Sequence, residues 1–111
     1  MSYPFNYLKM YRTKSFLSQK DVVKLISPNC SSCISTYERG QRRPNIEILL
    51  LYHHLFNVSI EEFFERESDQ VKCKLISRII FLIDDLKKEE LVSWNLRKIE
   101  YLEDTLERLR D

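Results

Sequence analysis

Reactive residue types gather in the first half of this 111-residue chain. Cys30 and Cys33 form a Cys-x-x-Cys pair, and His53 and His54 are adjacent. Hydroxyls cluster at Ser31, Ser32, Ser35 and Thr36, and Gln41, Arg42 and Arg43 follow them. A thiol at a helix N-terminus has a lowered pKa, which suits a redox sensor. The plainer reading makes Cys33 a small packing residue and Cys30 a filler at a cap position. Zinc would require His53 or His54 and Cys73 to converge on the pair. With no second Cys-x-x-Cys and no spaced histidine pair, neither a metal nor any other cofactor is expected. No nucleophile or carboxylate pair stands in a recognisable catalytic context, and a single glycine cannot build a phosphate-cradling loop, so no enzyme is expected. The hydroxyls and arginines remain. Short side chains that donate and accept hydrogen bonds, next to cations, suit recognition of a polyanion.

Charge supports that chemistry. The net charge is only +1, but residues 1–44 carry eight basic groups against Asp21 and Glu38, a local +6. Residues 45–67 come to −4 and the remaining tail to −1. A basic front of this kind points to a polyanionic partner at one face. The length suits a single domain with an appendage, and 43% hydrophobic residues, 12% of the chain being aromatic, allow a real core. There is no run of about 18 uncharged apolar residues, and Met1-Ser2-Tyr3-Pro4-Phe5 lacks the regions of a signal peptide. The expectation is therefore a cytoplasmic protein with no membrane partner and with its three cysteines kept as thiols.

These residues must be positioned by helices. Gly40 is the only glycine, the prolines stand at positions 4, 28 and 44, and alternating strand patterns are absent, so the fold class is all-α. The first helix is expected from Pro4 or Phe5 to Lys14, burying Leu8 and Tyr11. Ser18 caps a second, Gln19 to Ile26, with Val22, Val23 and Ile26 on one face. Ser27-Pro28-Asn29-Cys30 breaks it, and a third helix runs from Ser31 to Arg39 and stops at Gly40. Pro44 and Asn45 open a fourth, with Ile46, Leu49, Leu50 and His53 spaced for burial and Asn57 at its end. His54 is expected to face water. Ser59 caps a fifth, with Ile60, Phe63 and Phe64.

Arg66-Glu67-Ser68-Asp69-Gln70 reads as a junction between a domain at 1–66 and a helical region at 67–111. In that region one helix is apolar over a wide arc. The last helix places Val92, Ile99 and Leu106, with Leu102 and Leu109, seven apart, the spacing of a short coiled-coil seam. Two long helices folded back as a hairpin, with these five residues at a dimer or partner interface, are the economical arrangement.

The blocks Leu17-Ser18-Gln19-Lys20-Asp21-Val22-Val23-Lys24-Leu25-Ile26, Ile34-Ser35-Thr36-Tyr37-Glu38-Arg39-Gly40, Arg43-Pro44-Asn45 and Val58-Ser59-Ile60-Glu61-Glu62-Phe63-Phe64 occur in that order. Together they resemble the phage repressor, Cro and xenobiotic-response-element (XRE) family of helix-turn-helix regulators over roughly residues 5–65. The resemblance implies a five-helix, lambda-repressor-like DNA-binding domain. Ser31, Ser32, Ser35 and Thr36 would then read bases, and Arg42 and Arg43, with Gln41, would clamp the phosphate backbone. Gln19 matches a family position that donates to a phosphate at a helix start, and Arg12 with Glu38 matches an internal ion pair.

Three departures stand out. The turn is one residue longer than the family's Gly-Val-Ser, with Pro28-Asn29 in place of its glycine. Phe16 replaces a glycine, and His53 and Val23 replace alanines.

The expected function is a sequence-specific, homodimeric repressor of a palindromic site on double-stranded DNA. Its C-terminal hairpin would set the half-site spacing and offer a site to a protein or peptide antagonist. In layout, though not in tail sequence, this resembles SinR-type repressors of Gram-positive bacteria. An antitoxin whose tail neutralises an enzyme, and an interaction module that no longer touches DNA, are the alternatives.

Overall fold

The computed structural model describes residues 5–90 and 92–111. It is all-helical, with no strand among the described residues. The helices are α1 (Leu8–Lys14), α2 (Gln19–Ile26), α3 (Cys33–Glu38), α4 (Ile46–Phe56), α5 (Ile60–Phe63), α6 (Glu65–Lys88) and α7 (Ser93–Arg110). No helix is long and apolar enough to cross a membrane among the described residues. The chain divides into two compact units, one ending at Ser68 and one beginning at Asp69. The division falls two residues beyond the expected one and lies inside α6. Arg66 to Gln70 are helical rather than a break, because glutamate, arginine and glutamine favour helix however polar they are.

Local chemistry sets most helix ends in the first unit. Ser18 closes a capping box on α2: its Oγ accepts from the Asp21 N–H at 3.0 Å, while its own N–H donates to Asp21 Oδ2 at 2.9 Å. Asn45 Oδ1 accepts from the Ile48 N–H at the start of α4, and Ser59 Oγ accepts from the Glu62 N–H at the start of α5. Asn57 ends α4 in the left-handed conformation, φ 54°.

α1 and α3 both end in Schellman motifs. Gly40 (φ 69°) donates to the Tyr37 carbonyl, and Gln41 donates to that of Thr36. Phe16 (φ 62°) donates to Thr13, and Leu17 donates to Arg12.

Two starts are later than expected. α1 begins at Leu8, whose N–H donates to Asn6 Oδ1, while Asn6 Nδ2 donates to the Tyr37 carbonyl at 2.9 Å. This buried bridge holds the chain just before α1 in a turn, and Phe5 lies outside the helix; Pro4 lies outside the described residues. α3 begins at Cys33, with Ser31 and Ser32 in the preceding turn.

Leu8, Val22, Ile26, Cys33, Ile34, Tyr37, Tyr52 and Phe63 form the core of this unit, with Tyr11, Val23 and Phe64 packed against it. The buried face of α4 differs from expectation. Tyr52 is fully buried, whereas Ile46 and Leu50 are exposed. Nearly every residue of α4 is apolar, so periodicity could not select a face. Burial raises the Tyr52 pKa, and the charge of Glu38 adds to that shift.

In the second unit Ile79, Ile83 and Leu86 of α6 bury against Ile99 of α7, with Leu102, Leu106 and Leu109 packed around them. Asn95 anchors the start of α7 by donating to the Glu90 carbonyl at 3.0 Å. The expected seam is thereby corrected. Ile99, Leu102, Leu106 and Leu109 pack within their own chain, and Val92 is the half-buried N-cap of α7. The apolar arc of α6 is wide enough to receive α7 on one side and still expose Ile80, Phe81 and Leu82.

Candidate nucleic-acid interface

α3 packs against α1 and α2, and its position is fixed at both ends. At its C-terminal end the Glu38 carboxylate accepts from Arg12 Nε at 2.6 Å, from Arg12 Nη2 at 3.2 Å and from Gln19 Nε2 at 2.9 Å. Arg12 Nη1 also donates to the Leu17 carbonyl at 3.0 Å. α1, the start of α2 and the end of α3 are thus tied through one carboxylate. Arg12 and Glu38 pair as the resemblance implied. Gln19 is partly committed, since one amide hydrogen points inward at Glu38 rather than outward.

At the N-terminal end the turn from Ser27 to Ser32 is drawn tight. The Cys30 N–H donates to the Ser27 carbonyl, and Ser27 Oγ donates to the Cys30 carbonyl at 3.2 Å. Cys30 and Cys33 are joined as a disulfide. This corrects the expectation of free thiols for these two; Cys73 alone is a free, exposed cysteine. The bond pins Cys33 to the turn, and α3 starts there rather than at Ser31.

The four hydroxyl residues lie along this surface but differ in reach. Ser31 and Ser32 are exposed in the turn, while Ser35 and Thr36 are half-buried on α3. Thr36 Oγ1 donates to the Cys33 carbonyl at 2.8 Å, so toward a ligand it offers lone pairs and a methyl group. Ser31 also lines a cleft of about 560 Å³ with Arg12, Ser18, Gln19, Lys20 and Val23. The start of α2 and the turn before α3 therefore open onto one concavity.

The residues after Gly40 return to the same region. Gln41, Arg42 and Arg43 are exposed. Arg42 Nη1 lies 3.8 Å from Cys33 Sγ, which places the guanidinium at the first residue of α3, next in sequence to Ser32. Arg43 forms an ion pair with Glu67. The Glu67 carboxylate offsets part of the charge that Arg43 could offer a phosphate, a cost invisible from its sequence neighbours.

The histidines stand apart from this site. His53 Nδ1 bonds to the Val58 carbonyl at 2.8 Å, and His54 is exposed. Among the described residues no three His, Cys, Asp or Glu side chains are grouped to hold a metal ion.

Sequence reading missed the Cys30–Cys33 bond, the Arg43–Glu67 pair and the exposure of Phe81 in the tail. The Cys-x-x-Cys spacing was a signal for the first, and an unusually wide apolar arc was a signal for the last. No family model matches the chain, and no curated protein or solved structure matches it.

Proposed function

We propose that the first unit is a five-helix, lambda-repressor-like helix-turn-helix domain and that the chain is a sequence-specific transcription regulator, a dimeric repressor of a palindromic operator. In this reading α3 and the turn before it enter the major groove, while Arg42 and the start of α2 hold the phosphates. The observation that carries it is the 3.8 Å contact of Arg42 with Cys33, which sets a cation at the first residue of α3, the helix that follows the exposed Ser31 and Ser32. Groups suited to reading bases and a group suited to gripping the backbone share one surface. Without arginine or glutamine forks aimed at bases, specificity would draw on operator shape as well as on hydroxyl contacts.

The α6–α7 hairpin is the proposed dimerisation element. Phe81, Trp94 and Tyr101 are 74%, 62% and 70% exposed, more large apolar surface than a solvated hairpin needs. A palindromic operator with half-sites about one turn of B-DNA apart, roughly 34 Å, suits two copies joined there.

Fluorescence anisotropy with duplexes tiling the DNA upstream of the chain's own coding sequence tests the reading. One duplex should bind well above the others. Thr36→Ala should reorder the ranking, and Arg42→Ala should weaken all duplexes alike. Binding of no duplex above background contradicts the proposal.

A further inference from the structure

The Cys30–Cys33 bond makes none of the DNA contacts proposed above, yet it spans the turn that carries Ser31 and Ser32. Its setting is asymmetric. Cys33 is buried at 6% exposure, whereas Cys30 is only half-buried, so a nucleophile in solvent reaches the Cys30 sulfur first. The Cys33 sulfur sits 3.8 Å from the Arg42 guanidinium, a permanent cation. Attack at Cys30 expels Cys33 as a thiolate beside that cation, and exchange is faster when the leaving thiolate is stabilised. The loop closed by the bond is very short, and short loops gain least from cross-linking.

From this setting we infer that Cys30 and Cys33 form a reversible thiol–disulfide site that exchanges with low-molecular-weight thiols and sets DNA affinity, an inference that rests on the helix-turn-helix reading. In the first step the thiolate of a small thiol attacks Cys30 Sγ. The bond to Cys33 breaks, its electron pair leaves on Cys33 Sγ, and Cys30 is left in a mixed disulfide. In the second step another thiolate attacks the small-molecule sulfur of that mixed disulfide and releases Cys30, which takes up a proton. Two small thiols are oxidised to one disulfide. Their two electrons reduce the pair, and their protons pass to Cys30 and to Cys33 or solvent.

Reduction lowers DNA affinity because the turn holding Ser31 and Ser32 loses its covalent tie to α3, so ordering it must be paid on binding.

The test uses the full chain carrying Cys73→Ser, which removes the exposed free thiol. Anisotropy against one duplex compares the oxidised form with the form reduced by dithiothreitol, with thiol content checked by alkylation and mass spectrometry. The oxidised form should bind roughly three- to tenfold more tightly, and Cys30→Ala/Cys33→Ala should match the reduced form. Glutathione should reduce Arg42→Ala several-fold more slowly than the parent. Equal affinity of the two redox forms overturns the inference and leaves the DNA-binding reading standing. An unchanged reduction rate in Arg42→Ala overturns the role given to that cation. Failure of both redox forms to bind duplex overturns the DNA-binding reading, and the inference with it.

Discussion

Arg12 on α1 and Glu38, the last residue of α3, are joined by two hydrogen bonds, Nε to Oε2 at 2.6 Å and Nη2 to Oε1 at 3.2 Å. Their side chains are 10% and 3% exposed. Removing one partner strands the other charge away from water, so Arg12→Ala or Glu38→Ala should each cost about 3–5 kcal/mol in urea unfolding. Replacing both by leucine should cost much less than the sum of the single changes. A single-variant loss below about 1 kcal/mol, the range of a surface pair, would show that the bridge does not hold α3 in place.

Phe16 supports a second prediction. It occupies the left-handed position that closes α1 and is 95% exposed, so its ring gains almost nothing from packing. A β-carbon in that conformation costs about 1–2 kcal/mol, which glycine avoids. Phe16→Gly should therefore raise stability by about 1 kcal/mol after its greater unfolded-state freedom is subtracted. Destabilisation in urea would mean that the ring has a packing partner.

The Asp21 carboxylate is held below the usual aspartate pKa, first by the Ser18 backbone N–H and then by the Ser18 side chain. A carboxyl with a lowered folded-state pKa stabilises the fold above its unfolded pKa and loses that contribution as pH falls through the folded value. Stability should accordingly begin to drop below about pH 4. Asp21→Asn should remove this part of the acid dependence while Ser18 Oγ still caps the helix. An unchanged acid limb in Asp21→Asn would assign the effect to other carboxylates.

Much of this architecture was legible where side chains act on nearby backbone. Ser18, Asn45, Asn57, Ser59 and Gly40 each mark a helix end in both sequence and structure. Features that depend on three-dimensional competition were not legible. Apolar residues lie on every side of α4 and gave no period from which to find Tyr52, and seven-residue spacing in α7 is the same whether Ile99 meets its own α6 or a second chain. The pairing of Arg43 with Glu67 joins residues far apart in sequence. A reducing compartment predicts free thiols at Cys30 and Cys33, and only their Cys-x-x-Cys spacing hints at the bond between them.

The tail separates interior from exterior residues. Ile99→Ala opens a cavity between α6 and α7 and should cost about 2–5 kcal/mol. Phe81→Ser with Trp94→Ser touches only exposed positions and should change stability by less than about 0.5 kcal/mol per site. By sedimentation, the double variant should nonetheless be monomeric where the parent is dimeric. A variant that remains dimeric would remove both residues from the proposed interface.

If the turn carrying Ser31 and Ser32, together with Arg42, meets duplex DNA as proposed, a salt titration with random-sequence duplex shows it. Between roughly 50 and 200 mM salt the logarithm of the binding constant should fall linearly with the logarithm of salt concentration. The slope should be about −0.9 per phosphate contacted, and Arg42→Ala should flatten it by about one. Affinity that does not change with salt, or a slope indifferent to Arg42, would contradict the account.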